Sequence, residues 1–202
     1  MTEGSCVPSR GTAATQGVVS SMRITVVAFA EDAIIRGELV LEGDRLSDFI
    51  PQDGPFEIER VALEALDDGR TVGVSVATIA RSDFFAITGN GPRGDRSKRV
   101  RMRPHPARLQ AGPYEIVGYV HATPSAHPFS GVLRRRVLAM TSAVIRYRVA
   151  GHQVEREAPA LLVNPEKIDW LEAASEEDLG VARNITLAHS TDHERRPRAL
   201  AR

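Results

Sequence analysis

Apolar and polar positions alternate with a period of two through much of residues 24 to 88. "ITVVAF" (24–29) and "AIIRGELVLE" (33–42) are rich in β-branched side chains, and in the second Ile35, Gly37, Leu39 and Leu41 alternate with Arg36, Glu38 and Val40. That period puts one set on a buried face and the other on solvent, as in a half-buried strand. "FEIERVALEA", "RTVGVSVATIA" and "DFFAIT" follow, separated by the turn signals Pro51 to Pro55, "DDG" at 67–69 and Arg81-Ser82. One stretch resists: in "IERVALEALDD", Ile58, Val61, Leu63 and Leu66 fit neither period, so a strand is the preferred reading and a helix its competitor. "RLSDFI" (45–50) interrupts the strands; Leu46 and Phe49, three apart, suit a single helical turn, with Ser47 and Asp48 placed to bond local backbone.

The same pattern returns after the glycine-rich loop "TGNGPRGDRSK" (88–98). Setting "IIRGELVLE" over "EIVGYVHAT" places Gly37 on Gly118 at an offset of 81, which carries Ala62-Leu63 onto Ala143-Val144. After one adjustment "IARSDFFAI" lies over "VNPEKIDWL", with Phe85 opposite Ile168 and Ile87 opposite Trp170. The expectation is an all-β chain of two tandem small β-barrel or sandwich-like units, 23–88 and 100–173, each of about five strands. A linker, 89–99, joins them, and the tails 1–22 and 174–202 are expected to be disordered.

A glycine-bearing strand, "RLSDFI", an apolar strand and "LLVNPEKIDWL" together resemble uncharacterised bacterial domains built as small β-units, over about 24–88 and 114–172. Leu161 to Leu171 also resembles the closing strand of Sm-like barrels, in which an Asn precedes the final apolar strand. The short basic signature that would carry RNA contacts onto Asn164 is missing.

Charge changes the picture more than composition does. The formal net charge is zero, yet Glu31 to Asp68 holds twelve acidic residues against Arg36, Arg45 and Arg60, while Gly91 to Arg148 holds twelve basic residues against Asp95 and Glu115. Opposed halves of this kind can attract within one chain or between copies. The basic half offers candidate contacts to nucleic acid or an acidic partner: Arg99, Arg101, Arg103, Arg134, Arg135, Arg136, Arg146 and Arg148, with Tyr147 as a stacking platform. Arg99, Arg101 and Arg103 alternate with Val100 and Met102 as in a charged edge strand.

Other chemistry is thin. Cys6 is the only cysteine, which excludes a disulfide framework or thiolate cluster. His121 and His127 are six apart across a proline-containing loop, not a metal-ligand spacing, and Ser47-Asp48 has no histidine nearby. "GNGPRG" lacks the Lys-Ser/Thr ending of a phosphate loop. No catalytic, cofactor or metal residue is assigned. The absence of a signal-type N-terminus and of a long apolar run implies a cytoplasmic protein outside the membrane. The expected function is non-catalytic protein binding or scaffolding, with self-association into a homo-oligomer through the opposed charge surfaces; the alternative is an RNA- or DNA-binding small barrel using the basic half.

Overall fold

The structure, a computed structural model, describes residues 21–42, 45–50, 54–92, 97, 100–175 and 177–179. Ten strands form one antiparallel sheet: β1 (Ser21–Ala30), β2 (Ala33–Glu42), β3 (Phe56–Ala65), β4 (Thr71–Ile79), β5 (Phe84–Gly89), β6 (Arg103–Ala111), β7 (Tyr114–Ala122), β8 (Leu138–Val149), β9 (His152–Val163) and β10 (Trp170–Ala173). Their order across the sheet is β10-β6-β7-β8-β9-β5-β1-β2-β3-β4. The all-β expectation holds. The sheet is not closed into barrels, however, because β5 pairs with β9 and joins both halves into one ladder.

Each half is a four-stranded meander whose fifth strand returns beside the first, and the register repeats with the topology. Val26 faces Gly37 in the first hairpin and Ala107 faces Gly118 in the second, an offset of 81. The ladder to the third strand slips at equivalent places, between Arg36 and Glu38 and between Val117 and Tyr119. There the third strand carries one extra residue in a left-handed conformation, Arg60 (φ 52°) or Ser142 (φ 48°). The bulge explains why Ile58, Val61 and Leu63 fit no period: they lie on a strand whose phase slips at Arg60, so the helix competitor is excluded. Opposite the bulge sits glycine. A Cβ on Gly37 would lie 2.5 Å from Ile58 Cγ2 and 2.7 Å from the Glu59 carbonyl oxygen, and one on Gly118 would lie 3.0 Å from Ala143 Cα.

The sequence alignment is corrected by one residue from the third strand onward, because the connection from the second strand is one residue longer in the second half: Glu38 faces Glu59 where Tyr119 faces Thr141. Arg36 faces Ala62 and Val117 faces Val144, so Ala62-Leu63 corresponds to Val144-Ile145. Ile87 faces Ala28 where Leu171 faces Leu109, so Ile87 corresponds to Leu171 and not to Trp170.

Two cores lie on opposite faces of the central strands. Ile24, Val26 and Ala28 of β1 point into a core with Leu39, Leu41, Ile58, Val61, Phe84 and Ile87. Val27 and Phe29 point the other way, into a core with Tyr114, Ile116, Met140, Ile145, Tyr147 and Leu161. Phe29, Phe85 and Tyr147 surround the Tyr114 ring at centroid distances of 5.5, 5.6 and 5.7 Å. These edge-on and tilted contacts tie the first half to the core of the second. The Tyr114 hydroxyl donates to the Ala30 carbonyl, completing the bond that a buried phenol requires.

"RLSDF" forms the short helix α1 (Leu46–Phe49), with Phe49 packed edge-on against Phe56 at 5.6 Å. Of the expected charged edge strand over 99–103, Arg103 opens β6 and is paired there with β7 alone, Arg101 and Met102 precede the strand, and Arg99 lies outside the described residues. Strand β6 lies inside the sheet between β10 and β7, and its prolines, Pro104 and Pro106, fall beyond the stretch paired with β10. Just past β10, Ser175 and Asp178 exchange capping hydrogen bonds and Leu179 is buried, so the chain stays against the body beyond residue 174.

Candidate interaction surfaces

Three features of the surface can meet a partner: the two ends of the sheet, a cleft between the halves, and an arginine-rich loop end.

Among the described residues, β4 and β10 border the sheet, each paired on one side only. Strand β4, "TVGVSVATI", carries no charge and no proline over nine residues, and Val72 and Val76 are 50% and 45% exposed. An edge strand presents unpaired backbone donors and acceptors, and proteins normally blunt it with lysine, proline, a bulge or extreme shortness. Strand β4 shows no such charge, proline or shortness. Strand β10 is only four residues long and displays Trp170, 41% exposed, under the Arg108 guanidinium 5.8 Å from the ring centroid.

The inner counterparts of these edges meet at the β5·β9 joint. There Asn164, fully buried, donates through its amide to the Arg81 carbonyl at 2.9 Å and lies 3.4 Å from that of Phe84. Its own side-chain oxygen accepts from Glu166 N–H at 3.2 Å, and its backbone N–H donates to the Phe85 carbonyl at 2.8 Å. Arg81 pairs with Glu166 at 2.5 Å, Lys167 Nζ lies 4.5 Å from the Phe85 ring centroid, and the Thr88 hydroxyl donates to the Ala160 carbonyl at 2.7 Å. Asn164 is thus committed to the interior and presents nothing to RNA.

A cleft of about 930 Å³ opens where hairpin turns of the two halves meet. Glu31, Asp32 and Asp67 line it from the first half; Gln110, Glu115, Arg146, Arg148 and Gln153 line it from the second. Among the described residues its lining holds no serine, cysteine, histidine or lysine. Arg146 is held by Glu155 at 2.6 Å and lies 3.9 Å from Glu115. Burial, aided by Tyr147 and Asp32, pushes the Tyr114 phenol up well beyond its ordinary range.

The candidate basic residues separate into three groups. Arg101, Arg103, Arg134, Arg135 and Arg136 are exposed at the end of the sheet where β6 begins and β8 begins; Arg148 is exposed in the cleft. Arg146 is occupied by carboxylates. Tyr147 is 3% exposed, and its hydroxyl accepts from Arg156 Nε at 2.7 Å, so its ring offers no stacking face. Ser47 bonds its neighbour Asp48 at 3.3 Å, whereas His127 lies in the other half against Phe129. Among the described residues no three His, Cys, Asp or Glu side chains converge as metal ligands.

Each half pairs part of its charge internally. Arg36–Glu64, Arg60–Glu38 and the Arg23–Glu38–Glu59 group lie in the first; Arg108–Glu115 and Arg146–Glu155 lie in the second. Among the described residues Arg81–Glu166 is an ion pair that joins the halves, its cation coming from the first. Sequence reading missed Asn164 as a clasp and β4 as an open edge; the signal available for β4 was its unbroken run of uncharged residues.

Comparison with protein-family models, with curated proteins and with solved structures returned no match. No helix among the described residues is long and apolar enough to cross a membrane.

Proposed function

We propose that this chain is a non-catalytic protein-binding module that associates through an open sheet edge, self-association included. The observation that carries this reading is β4: a nine-residue, uncharged, proline-free strand with one flank unpaired and Val72 and Val76 exposed. Such an edge gains backbone hydrogen bonds by accepting an extended segment, and alternate side chains then supply selectivity. The test is affinity capture with the wild type and with Val76→Lys/Thr78→Lys, whose positions are both exposed. Recovery of bound protein, tagged or untagged, should fall at least about tenfold in the variant, the equivalent of roughly 1.4 kcal/mol. Equal recovery would remove β4 from the function.

A second reading has its own support in Arg101, Arg103, Arg134 and Arg135, which are exposed together at one end of the sheet. Such a cluster suits phosphate contacts, and the effect is then electrostatic and salt-dependent. Binding of labelled single-stranded RNA and duplex DNA across a salt series should weaken in Arg134→Ala/Arg135→Ala/Arg136→Ala, with a shallower salt slope. No binding by the wild type at low salt would sink this reading.

A further inference from the structure

The joint inside the sheet is a template for one outside it. Strand β5 is the fifth strand of the first half and β9 the fourth strand of the second; their pairing, Ala86 with Val163 and Ile87 with Leu162, holds the halves together. The two strands left at the ends of the sheet are the same two kinds in the complementary combination: β10 is the fifth strand of the second half, and β4 the fourth of the first. We infer that β10 of one copy pairs with β4 of another, repeating the internal joint between molecules.

The register follows from the repeat. Leu171 corresponds to Ile87 and Ile79 to Val163, because Leu171 faces Leu109 where Ile87 faces Ala28, and Ile79 faces Phe56 where Val163 faces Leu138. Trp170 of one copy therefore comes opposite Ile79 of the next, and Leu171 opposite Thr78. Pairing in this register adds a neighbour to the uncharged edge of β4 and covers the half-exposed Trp170 ring. It involves no proline, since Pro104 and Pro106 lie on β6 and both contacting strands lack one.

The contact is heterologous: each copy gives β10 and receives on β4, so assembly closes into a ring or continues as a chain. It is also weaker than its template. Ala80, Ser82 and Asp83 stand where Asn164, Glu166 and Lys167 clasp β5, so the amide clamp, the ion pair and the cation over the Phe85 ring are not reproduced. A reversible, concentration-dependent association results, where the internal joint is permanent.

The inference rests on the edge-binding reading above and narrows it to one occupant. The experiment compares three proteins by light scattering and sedimentation up to about 100 µM, where a micromolar contact is saturated: the wild type, Val76→Lys/Thr78→Lys, and Trp170→Lys/Ala173→Lys. All four positions are exposed, and thermal unfolding confirms that the variants fold. The wild type should self-associate, each variant alone should be monomeric, and their mixture should give a one-to-one dimer, since each retains the edge the other lacks. Fluorescence of the single tryptophan should shift to shorter wavelength as the wild type associates. The change Ala80→Asn/Asp83→Lys, which copies Asn164 and Lys167, should tighten association; unchanged affinity would overturn the register. Self-association of the β10 variant alone would mean that β4 pairs with β4 and would overturn the inference. A monomeric wild type whose capture of other proteins still depends on β4 would overturn it too, leaving the edge-binding reading intact. Capture indifferent to β4 would sink that reading itself.

Discussion

The two halves of the sheet share strand order, hairpin register and the position of a bulge, but they treat the same strand differently. The fourth strand of the first half, β4, runs nine residues, uncharged and largely exposed; that of the second, β9, runs twelve residues and ends in the buried Leu161, Leu162 and Val163. Asn164 follows β9 and Ala80 follows β4. The difference teaches what a neighbour demands. Where β5 covers β9, a buried side chain binds the carbonyls that covering leaves without partners; where no strand among the described residues covers β4, alanine suffices.

The largest way to break the likeness between halves lies at the bulge glycines. Gly37→Ala would drive a methyl into the Glu59 carbonyl and Ile58, and should cost about 3 kcal/mol, the upper part of the range for overpacking. Gly118→Ala meets its nearest atom at 3.0 Å and should cost about 1 kcal/mol. Urea unfolding of both variants measures the pair. Equal losses would show that the two bulges are alike in tightness as well as in position.

Next in size is the joint. Asn164→Ala removes a buried amide bonded to Arg81 and leaves that carbonyl short of a partner, at a cost of about 2 kcal/mol. Hydrogen exchange should quicken locally at β5 and at the end of β9, with little change in β2 and β3. Uniform quickening would mean that the halves unfold as one unit and that the clasp stabilises both equally.

Much of this fold was legible in the sequence, for reasons that also explain where reading stopped. Strands β1 and β2 could be read because their hairpin has no bulge, so burial follows the alternation of Ile24, Val26 and Ala28 and of Leu39 and Leu41. The repeat was visible through Gly37 and Gly118, whose absent side chains are forced by the strand crossing opposite them. The alignment then slipped by one, because the connection between the second and third strands is one residue longer in the second half, from Tyr119 to Thr141 against Glu38 to Glu59, and the length of a connection leaves no mark in the strand pattern. The arginines could be read as charges but not as free ones: Glu155, which occupies Arg146, lies on the next strand, and cross-strand partners depend on register. Tyr147 looked like a platform because sequence shows that it is aromatic and not that Phe29 and Tyr114 enclose it.

The smallest contrast is a difference in pH sensitivity. His121 lies in β7 with Nε2 2.7 Å from the Thr141 hydroxyl, and the corresponding position in β2 is Val40. Burial first, and the nearby His105 second, hold the His121 imidazole below its ordinary value. The unfolded chain therefore takes up this proton more readily than the folded one, so the stability contribution is fully present above the unfolded value of about 6.5 and is lost as pH falls below it. His121→Val, which copies the first half, removes the titrating group. Between pH 7.5 and 5.5 the wild type should lose more thermal stability than the variant, measured as the change in Tm of each. Parallel losses would place the acid sensitivity elsewhere and leave the two halves alike in their response to protons.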